Sequence, residues 1–258
     1  MELRSRIVTG LEEGSAGTVL IRGLVLGERS EGGNYYGAFR KSGTMHIFAV
    51  SGLHVGLVGA LAWALIRIIR LPRRWGLSAV LLIIWIYAFV TGLNPPAMRA
   101  AFMASVFLAG FFIKRKPSLA NSLLASLPVV VLLDSYQLGQ VGFQLSYVVV
   151  GMIILVAPLL TRLLQPFLDG DPFLPPRLYT PGQRGILTVR RYLGGLFVVS
   201  LSAWIGSMPL IWYHFGIITP ASILASVILV PLVFVILSVA FAGSLLGVVW
   251  EPFQVGVN

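Results

Sequence analysis

The chain has 258 residues, of which 57% are hydrophobic and only 11% are charged. Soluble domains carry about 25% charged residues, and a soluble fold could not hide this much apolar surface. In a soluble protein the net charge of +10 would indicate a nucleic-acid partner. In a membrane protein its first explanation is the preference for basic residues in cytoplasmic loops. Cysteine is absent, which excludes disulfides, cysteine catalysis and thiolate metal sites.

Residues 1–44 mix charged and apolar side chains, with Leu3, Ile7 and Leu11 at helical spacing. This pattern predicts short amphipathic helices at the membrane surface, which form an N-terminal interfacial segment. Residues 45–258 are predicted to form the transmembrane domain, because their apolar runs suit the roughly 20 residues that cross a bilayer core. Backbone groups in lipid must be satisfied within the segment, so these runs must be helices. The predicted fold class is an all-α, polytopic transmembrane helical bundle.

About seven spans are predicted, over residues 45–69, 75–91, 96–113, 119–133, 142–164, 192–213 and 219–250. A loop with five prolines is predicted between the fifth and sixth spans, over residues 165–191. The last run is too long for one straight crossing, and Pro231 removes a helix hydrogen bond within it. We therefore expect a kink or a short re-entrant half-helix there, followed by a full crossing.

Basic residues are concentrated in three alternate loops, which together hold 12 of them, whereas the other loops hold only Arg99. This asymmetry places the three basic loops in the cytoplasm and the first 44 residues outside. The six basic residues of that first segment run against the rule, as a separately folded surface layer can. The 12 loop residues are Arg67, Arg70, Arg73, Arg74, Lys114, Arg115, Lys116, Arg162, Arg177, Arg184, Arg190 and Arg191.

Three polar side chains, His46, Ser51 and His54, lie at the outer start of the first span. Polar groups in an apolar span usually face the protein interior or water. Three interpretations stay open: a hydrogen-bonded packing cluster, the lining of a pore or substrate path, and a serine nucleophile with a histidine base, although no acid is near to orient that base. Glycines on the same span indicate close helix packing: Gly52, Gly56 and Gly59.

Arg99 lies about one turn into the third span, near the outer face. It is either an arginine that snorkels to the interface or a fixed positive charge at a pore mouth that meets an anion. No Asp or Glu occurs between Glu31 and Asp134. Cation carriers commonly use an intramembrane carboxylate, so this distribution argues against them and suits a polyanion.

Gln144 and Ser146 begin the fifth span and could either line a passage or pin helices together. Aromatic side chains near these motifs could stack on bases, although core packing is the simpler interpretation: Phe48, Phe143 and Tyr147. The sequence contains no Walker-type loop, so any energy source lies in a separate protein.

The order of these motifs resembles the competence domain of the ComEC-type DNA-uptake channel family. The resemblance runs from about residue 15 onward and is carried by Leu26-Gly-Glu-Arg-Ser30, by Gly43-Thr-Met-His46 through Gly56, by Gly92 through Ala100, by Asn121 and by Gly142-Phe-Gln-Leu-Ser146, with weaker agreement at Pro209, Phe215 and Val230-Pro231-Leu232. The chain departs from the family at Pro96, where Ser is usual, and at Ser226, where Asn is usual.

The resemblance implies a multi-pass channel in the bacterial inner membrane that brings single-stranded DNA into the cytoplasm during natural transformation. Its expected partners are the DNA strand, membrane lipids, a cytoplasmic helicase or translocase, and envelope DNA-receptor proteins. The DNA path or its support is expected at His46, Ser51, His54, Arg99, Gln144 and Ser146. Family members often carry an OB-like domain and a nuclease domain as well, and we expect neither in this chain.

We expect no enzymatic activity, cofactor or metal. Three alternatives stay open: a transporter of another anionic or lipid-linked substrate, an intramembrane serine hydrolase that uses Ser51 and His54, and a membrane scaffold without a pore.

Overall fold

The computed structural model describes the backbone of residues 51–170 and 179–255, and the side chains of residues 51–170 and 179–243. All regular structure in these ranges is helical, which confirms the all-α prediction. A short 3-10 helix, Ser135–Gly139, lies between the fourth and fifth of the seven α-helices in these ranges. In chain order the helices are α1 Gly52–Ile69, α2 Arg73–Val90, α3 Pro95–Phe112, α4 Leu119–Leu133, α5 Val141–Leu168, α6 Pro181–Phe215 and α7 Ala221–Val255.

Six of these helices are long and apolar enough to cross a membrane, all except α4. With its 15 residues, α4 is about 22 Å long, somewhat less than the hydrocarbon core. Large apolar side chains such as Leu82, Leu155 and Val239 are more than half exposed on the helix surfaces, as expected where lipid takes the place of water. The chain is a polytopic membrane protein.

The prediction of a loop over residues 165–191 is wrong in its extent. Helix α5 continues to Leu168, and α6 begins as early as Pro181. The first position of a helix needs no N–H, so a proline there is compatible with the helix. Just before it, the Thr180 N–H donates to Gln183 Oε1 at 3.0 Å and the Gln183 N–H donates to Thr180 Oγ1 at 3.3 Å, a capping box that starts the helix.

The last apolar run forms one continuous helix through Pro231, where a kink or a short re-entrant half-helix was expected, so the half-helix is wrong. A proline inside a helix removes a single backbone donor, and membrane helices tolerate that loss. The uninterrupted helix is 35 residues long.

The described helices belong to two compact units. The first unit contains α1 to α4 and the part of α7 from Leu229 onward, and the second comprises Tyr136–Ile228. In the first unit α1, α2 and α3 pack against one another, and α4 packs on α3. The turns between α1, α2 and α3 are short, which makes sequential helices antiparallel neighbours. Their buried core is small and aliphatic: Val55, Ala62, Ile66, Leu77, Val80, Ile84, Ala88, Ala97, Ala101 and Leu108.

Specific contacts fix the helix pairs within each unit. Trp85 Nε1 of α2 donates to Ser105 Oγ of α3 at 3.1 Å, a polar link of the kind that joins membrane helices. A Cβ added at Gly59 of α1 would lie 3.1 Å from Ile84 Cδ1, so this glycine packs as predicted. Gly56 does not pack against another helix, because nothing lies within 4 Å of a Cβ added at that position.

The second unit is built on the packing of α5 against α6. A Cβ added at Gly206 of α6 would lie 2.8 Å from Met152 Cβ of α5, so the two backbones approach closely at that glycine. Beyond α6, Trp204 Nε1 donates to the Thr219 carbonyl at 3.2 Å and holds the chain that leads into α7.

Candidate functional site

The first unit has two chemically different ends. We call the end formed by the start of α1, the end of α2 and the start of α3 the polar end, since it carries Ser51, His54 and Arg99. The opposite end, here called the basic end, comprises the turns after α1 and α3. It carries Arg67, Arg70, Arg73, Arg74, Lys114, Arg115 and Lys116. Between residues 51 and 135 the single carboxylate is Asp134, which is exposed just after α4.

At the polar end Ser51 caps α1 and holds the His54 ring. The Ser51 backbone N–H donates to His54 Nδ1 at 3.3 Å, and Ser51 Oγ lies 3.0 Å from the same nitrogen. The His54 backbone N–H donates to the Ser51 carbonyl at 3.1 Å. The sequence folds this way because serine at the N-cap can leave the helix with an extended backbone while its polar groups turn back on the first turn. His54 is completely buried.

The turn between α2 and α3 is held by its own side chains. Thr91 Oγ1 donates to the carbonyls of Tyr87 and Ala88, both at 3.0 Å, and Asn94 Nδ2 donates to the Thr91 carbonyl at 2.8 Å. Gly92 has a φ of 83°, which glycine adopts freely, whereas Leu93 at 52° is in a region unfavourable for a side chain. This strained, hydrogen-bonded turn fixes where α3 begins and therefore the position of Arg99.

Arg99 is buried, with 2% of its surface exposed. The snorkelling interpretation is therefore wrong, because a snorkelling arginine extends its guanidinium into water or headgroups. The next residue, Ala100, faces the start of α1, where a Cβ added at Gly52 would lie 3.5 Å from Ala100 Cβ. The first turn of α1 and the second turn of α3 thus lie side by side, and they bear His54 and Arg99. A cation buried within an apolar unit is costly and usually functional.

Gln144 links several elements of the second unit. Its Nε2 donates to the Leu138 carbonyl at 3.3 Å, and its Oε1 lies 3.4 Å from His214 Nε2 at the end of α6. Ser146 Oγ donates to the Gly142 carbonyl of its own helix at 2.9 Å. For Gln144 these contacts favour a role in joining helices, one of the two interpretations left open by the sequence.

Phe143 and Tyr147 belong to the core. They are 4% and 7% exposed, and their ring centroids are 4.6 Å apart. This confirms core packing for both residues. His46 and Phe48, like the N-terminal interfacial segment, lie outside the described residues.

The structure brings Ser51, His54 and Arg99 to one end of the first unit and puts Gln144 and Ser146 in the second. It adds two residues that the sequence reasoning did not select, Tyr87 near the end of α2 and His214 at the end of α6. Both are polar side chains close to the predicted outer ends of spans, which is the signal that could have identified them. No cluster of potential metal ligands occurs among residues 51–170 and 179–243.

Comparisons with known proteins agree on one family. The model of the family described as "Competence protein" matches residues 24–258. "ComE operon protein 3" of Bacillus subtilis is 33% identical over 211 residues, which cover 81% of this chain but only 24% of that protein. "Competence protein ComA" of Neisseria gonorrhoeae is 33% identical over 149 residues, 54% of this chain and 21% of that protein. The chain therefore spans about a quarter or less of the length of these two relatives. No solved structure matches it.

Proposed function

This chain belongs to the Competence protein family, and from that premise we propose that it is the channel part of a DNA-uptake system, which passes single-stranded DNA inward across the bacterial inner membrane. In this proposal the N-terminus and the polar end face outward and the basic end faces the cytoplasm. The named competence relatives support a role in DNA uptake during transformation.

The observation that carries the proposal is the burial of Arg99 and His54 at the polar end. A buried cation and a buried imidazole on adjacent turns of two neighbouring helices suit an anion that enters from that side. The residues from 51 to 133 hold no carboxylate that would repel such an anion. A strand of DNA is a polyanion with one charge per nucleotide, so a path without negative side chains is what its passage requires.

The basic end supplies the second half of the path. Its seven cationic side chains follow from the positive-inside rule, and each can also pair with a phosphate of the emerging strand. Arg73 is held over the Phe111 ring at 4.9 Å, which orders one of these cations at the membrane surface. The force for transport comes from a cytoplasmic helicase or translocase, and envelope DNA receptors deliver the strand.

The test is natural transformation in the source organism, with the chromosomal gene replaced by Arg99→Ala or His54→Ala. Both changes remove a buried polar group from the polar end, and we expect transformation frequency to fall by about tenfold or more. The matched control is Arg191→Ala, because Arg191 is 59% exposed and paired with Asp169 at 3.0 Å. Membrane levels are checked by immunoblot. Wild-type transformation frequency in both the Arg99→Ala and His54→Ala strains, with normal amounts of the protein in the membrane, would contradict the proposal.

One observation favours a second function, an intramembrane serine hydrolase. Ser51 Oγ lies within hydrogen-bond distance of His54 Nδ1, as a nucleophile lies beside its base. We propose that the contact is a helix cap and not a catalytic pair, because the Ser51 N–H donates to the same nitrogen and Asp134, the one carboxylate of residues 51–135, is exposed beyond α4. A fluorophosphonate probe that labels wild type but not Ser51→Ala would establish the hydrolase instead.

A further inference from the structure

Two buried polar atoms at the polar end have no hydrogen-bond partner within the described part of the chain, His54 Nε2 and the Tyr87 hydroxyl oxygen. His54 Nδ1 accepts from the Ser51 N–H, so the proton of the neutral ring is on Nε2. This nitrogen is therefore a buried donor without an acceptor. The Tyr87 hydroxyl can also donate. Buried donors left without acceptors cost free energy, and native structures keep few of them without a reason.

These groups come from the same end of three mutually packed helices. His54 is in the first turn of α1, Tyr87 in the last turn of α2 and Arg99 in the second turn of α3. Their neighbours in the chain, including Val55 and Ala88, belong to a single buried core cluster. The three residues are therefore at the same end of the unit, next to its apolar core. Arginine has only donors, so each of the three side chains can donate a hydrogen bond.

We propose that His54, Tyr87 and Arg99 together form a binding site for one phosphodiester group. The inference rests on the proposed function and gives it a defined contact, in which Tyr87 is a new member. A phosphodiester offers two charged oxygens with several lone pairs, so it can accept from all three donors at once. The helices α1 and α3 both begin at this end, and their positive dipole ends favour an anion there as well.

The phosphodiester we assign is that of the nucleic-acid strand, although membrane lipids carry the same group. Lipid headgroups contact the outer surface of a helix bundle, whereas His54 and Arg99 have 0% and 2% of their surfaces exposed. Burial to this extent also means that the site is closed in this conformation, so the strand reaches it only when the polar end opens.

The test measures binding of a fluorescent oligothymidine to the full-length protein in maltoside micelles, which contain no phosphate. The key variant is Tyr87→Phe, which removes the hydroxyl and keeps the ring. The matched control is Tyr213→Phe, because Tyr213 is 82% exposed. We expect Tyr87→Phe to weaken binding about tenfold and the control to bind like wild type. An uncharged methylphosphonate oligomer of the same sequence should bind weakly and equally to all three proteins.

A double-mutant cycle then asks whether the groups act as one site. The effect of Tyr87→Phe should largely disappear in the Arg99→Ala background, because groups that share a ligand are not additive. Equal binding by wild type and Tyr87→Phe, or full additivity in the cycle, would overturn the inference. So would a Tyr87→Phe defect confined to phosphatidylglycerol, added as mixed micelles, since that outcome assigns the site to lipid.

Failure of this inference is distinguishable from failure of the proposed function. Normal oligomer binding by Tyr87→Phe, together with transformation that depends on Arg99, would remove the three-residue site and leave the channel. A tenfold binding defect in Tyr87→Phe, together with wild-type transformation by the Arg99→Ala and His54→Ala variants, would keep the site and remove its role in uptake.

Discussion

Ser51 Oγ lies 3.0 Å from Nδ1 of His54, and the two residues enclose the first turn of α1. The contact orients the imidazole, because Nδ1 faces the cap and Nε2 must then face away from it, inside the unit. A local capping interaction thereby determines which ring nitrogen is available to a ligand. The sequence alone left three interpretations of these residues open: a packing cluster, the lining of a path, or a catalytic pair.

Loss of this cap should cost stability. We expect Ser51→Ala to lower the free energy of unfolding by about 1 kcal/mol, because alanine cannot replace the polar cap of α1. Thermal unfolding in detergent, followed by circular dichroism, measures the change. Ser238→Ala is the control, since Ser238 is half-buried in the middle of α7 and its hydroxyl donates to the Phe234 carbonyl of its own helix. Equal melting temperatures for the two variants would show that the cap is not stabilising.

The close approach of α5 and α6 at Gly206 should not tolerate a larger residue. We expect Gly206→Val to destabilise the protein by about 1–3 kcal/mol, because its Cβ would overlap Met152 and the helices would have to separate. Gly195→Val on the same helix is the matched control, with nothing within 4 Å of its Cβ position. Denaturant or thermal unfolding of both proteins gives the comparison, and a similar loss in the two would mean that valine in the helix, and not the contact, is responsible.

The Trp85–Ser105 hydrogen bond should contribute modestly to the packing of α2 on α3. We expect Ser105→Ala to cost about 1 kcal/mol, in the usual range for polar links between membrane helices. Trp85→Phe and the double variant complete a cycle that isolates the pair. A coupling energy near zero would show that the 3.1 Å contact adds no stability.

The proposed orientation can be tested with the cysteine-free chain. A membrane-impermeant maleimide should label Tyr136→Cys in intact spheroplasts, because Tyr136 is 80% exposed and follows α4 in a turn that the alternation of basic loops predicts to be outside. It should label Lys114→Cys, in the turn after α3, only after the membrane is permeabilised. The reverse pattern of labelling would place the basic end outside and contradict the orientation.

Much of the fold could be predicted from the sequence because hydropathy decides membrane insertion. The start of α4 and its end were predicted at Leu119 and Leu133, where the structure has them. Prolines were less informative. Pro181 was taken as part of a loop although it begins α6. Pro231 was expected to give a kink or a short re-entrant half-helix, whereas α7 continues through it. The sequence shows that a proline lacks the backbone N–H donor, but it does not show whether the surrounding helix can tolerate that loss.

The candidate site was only partly accessible to such reasoning. Ser51, His54 and Arg99 stand out as polar residues in apolar spans, and the short turns of the first unit bring them to one end. Tyr87 was missed, because a tyrosine near the end of a span usually anchors at the membrane interface, and only the packing reveals that its hydroxyl is buried. The burial of Arg99 was missed for the same reason: depth within a bundle depends on the neighbouring helices.

The most direct measurement is capture of a transforming strand in transit. A Ser51→Cys variant receives DNA that carries thiol-reactive bromoacetyl groups on its backbone, and protein–DNA adducts are counted after uptake has begun. The control is Leu82→Cys, at a position that is 62% exposed on the apolar surface of α2. We expect adducts at position 51 and none at position 82. Normal uptake with no adduct at position 51, or equal adducts at both positions, would contradict passage of DNA along the polar end.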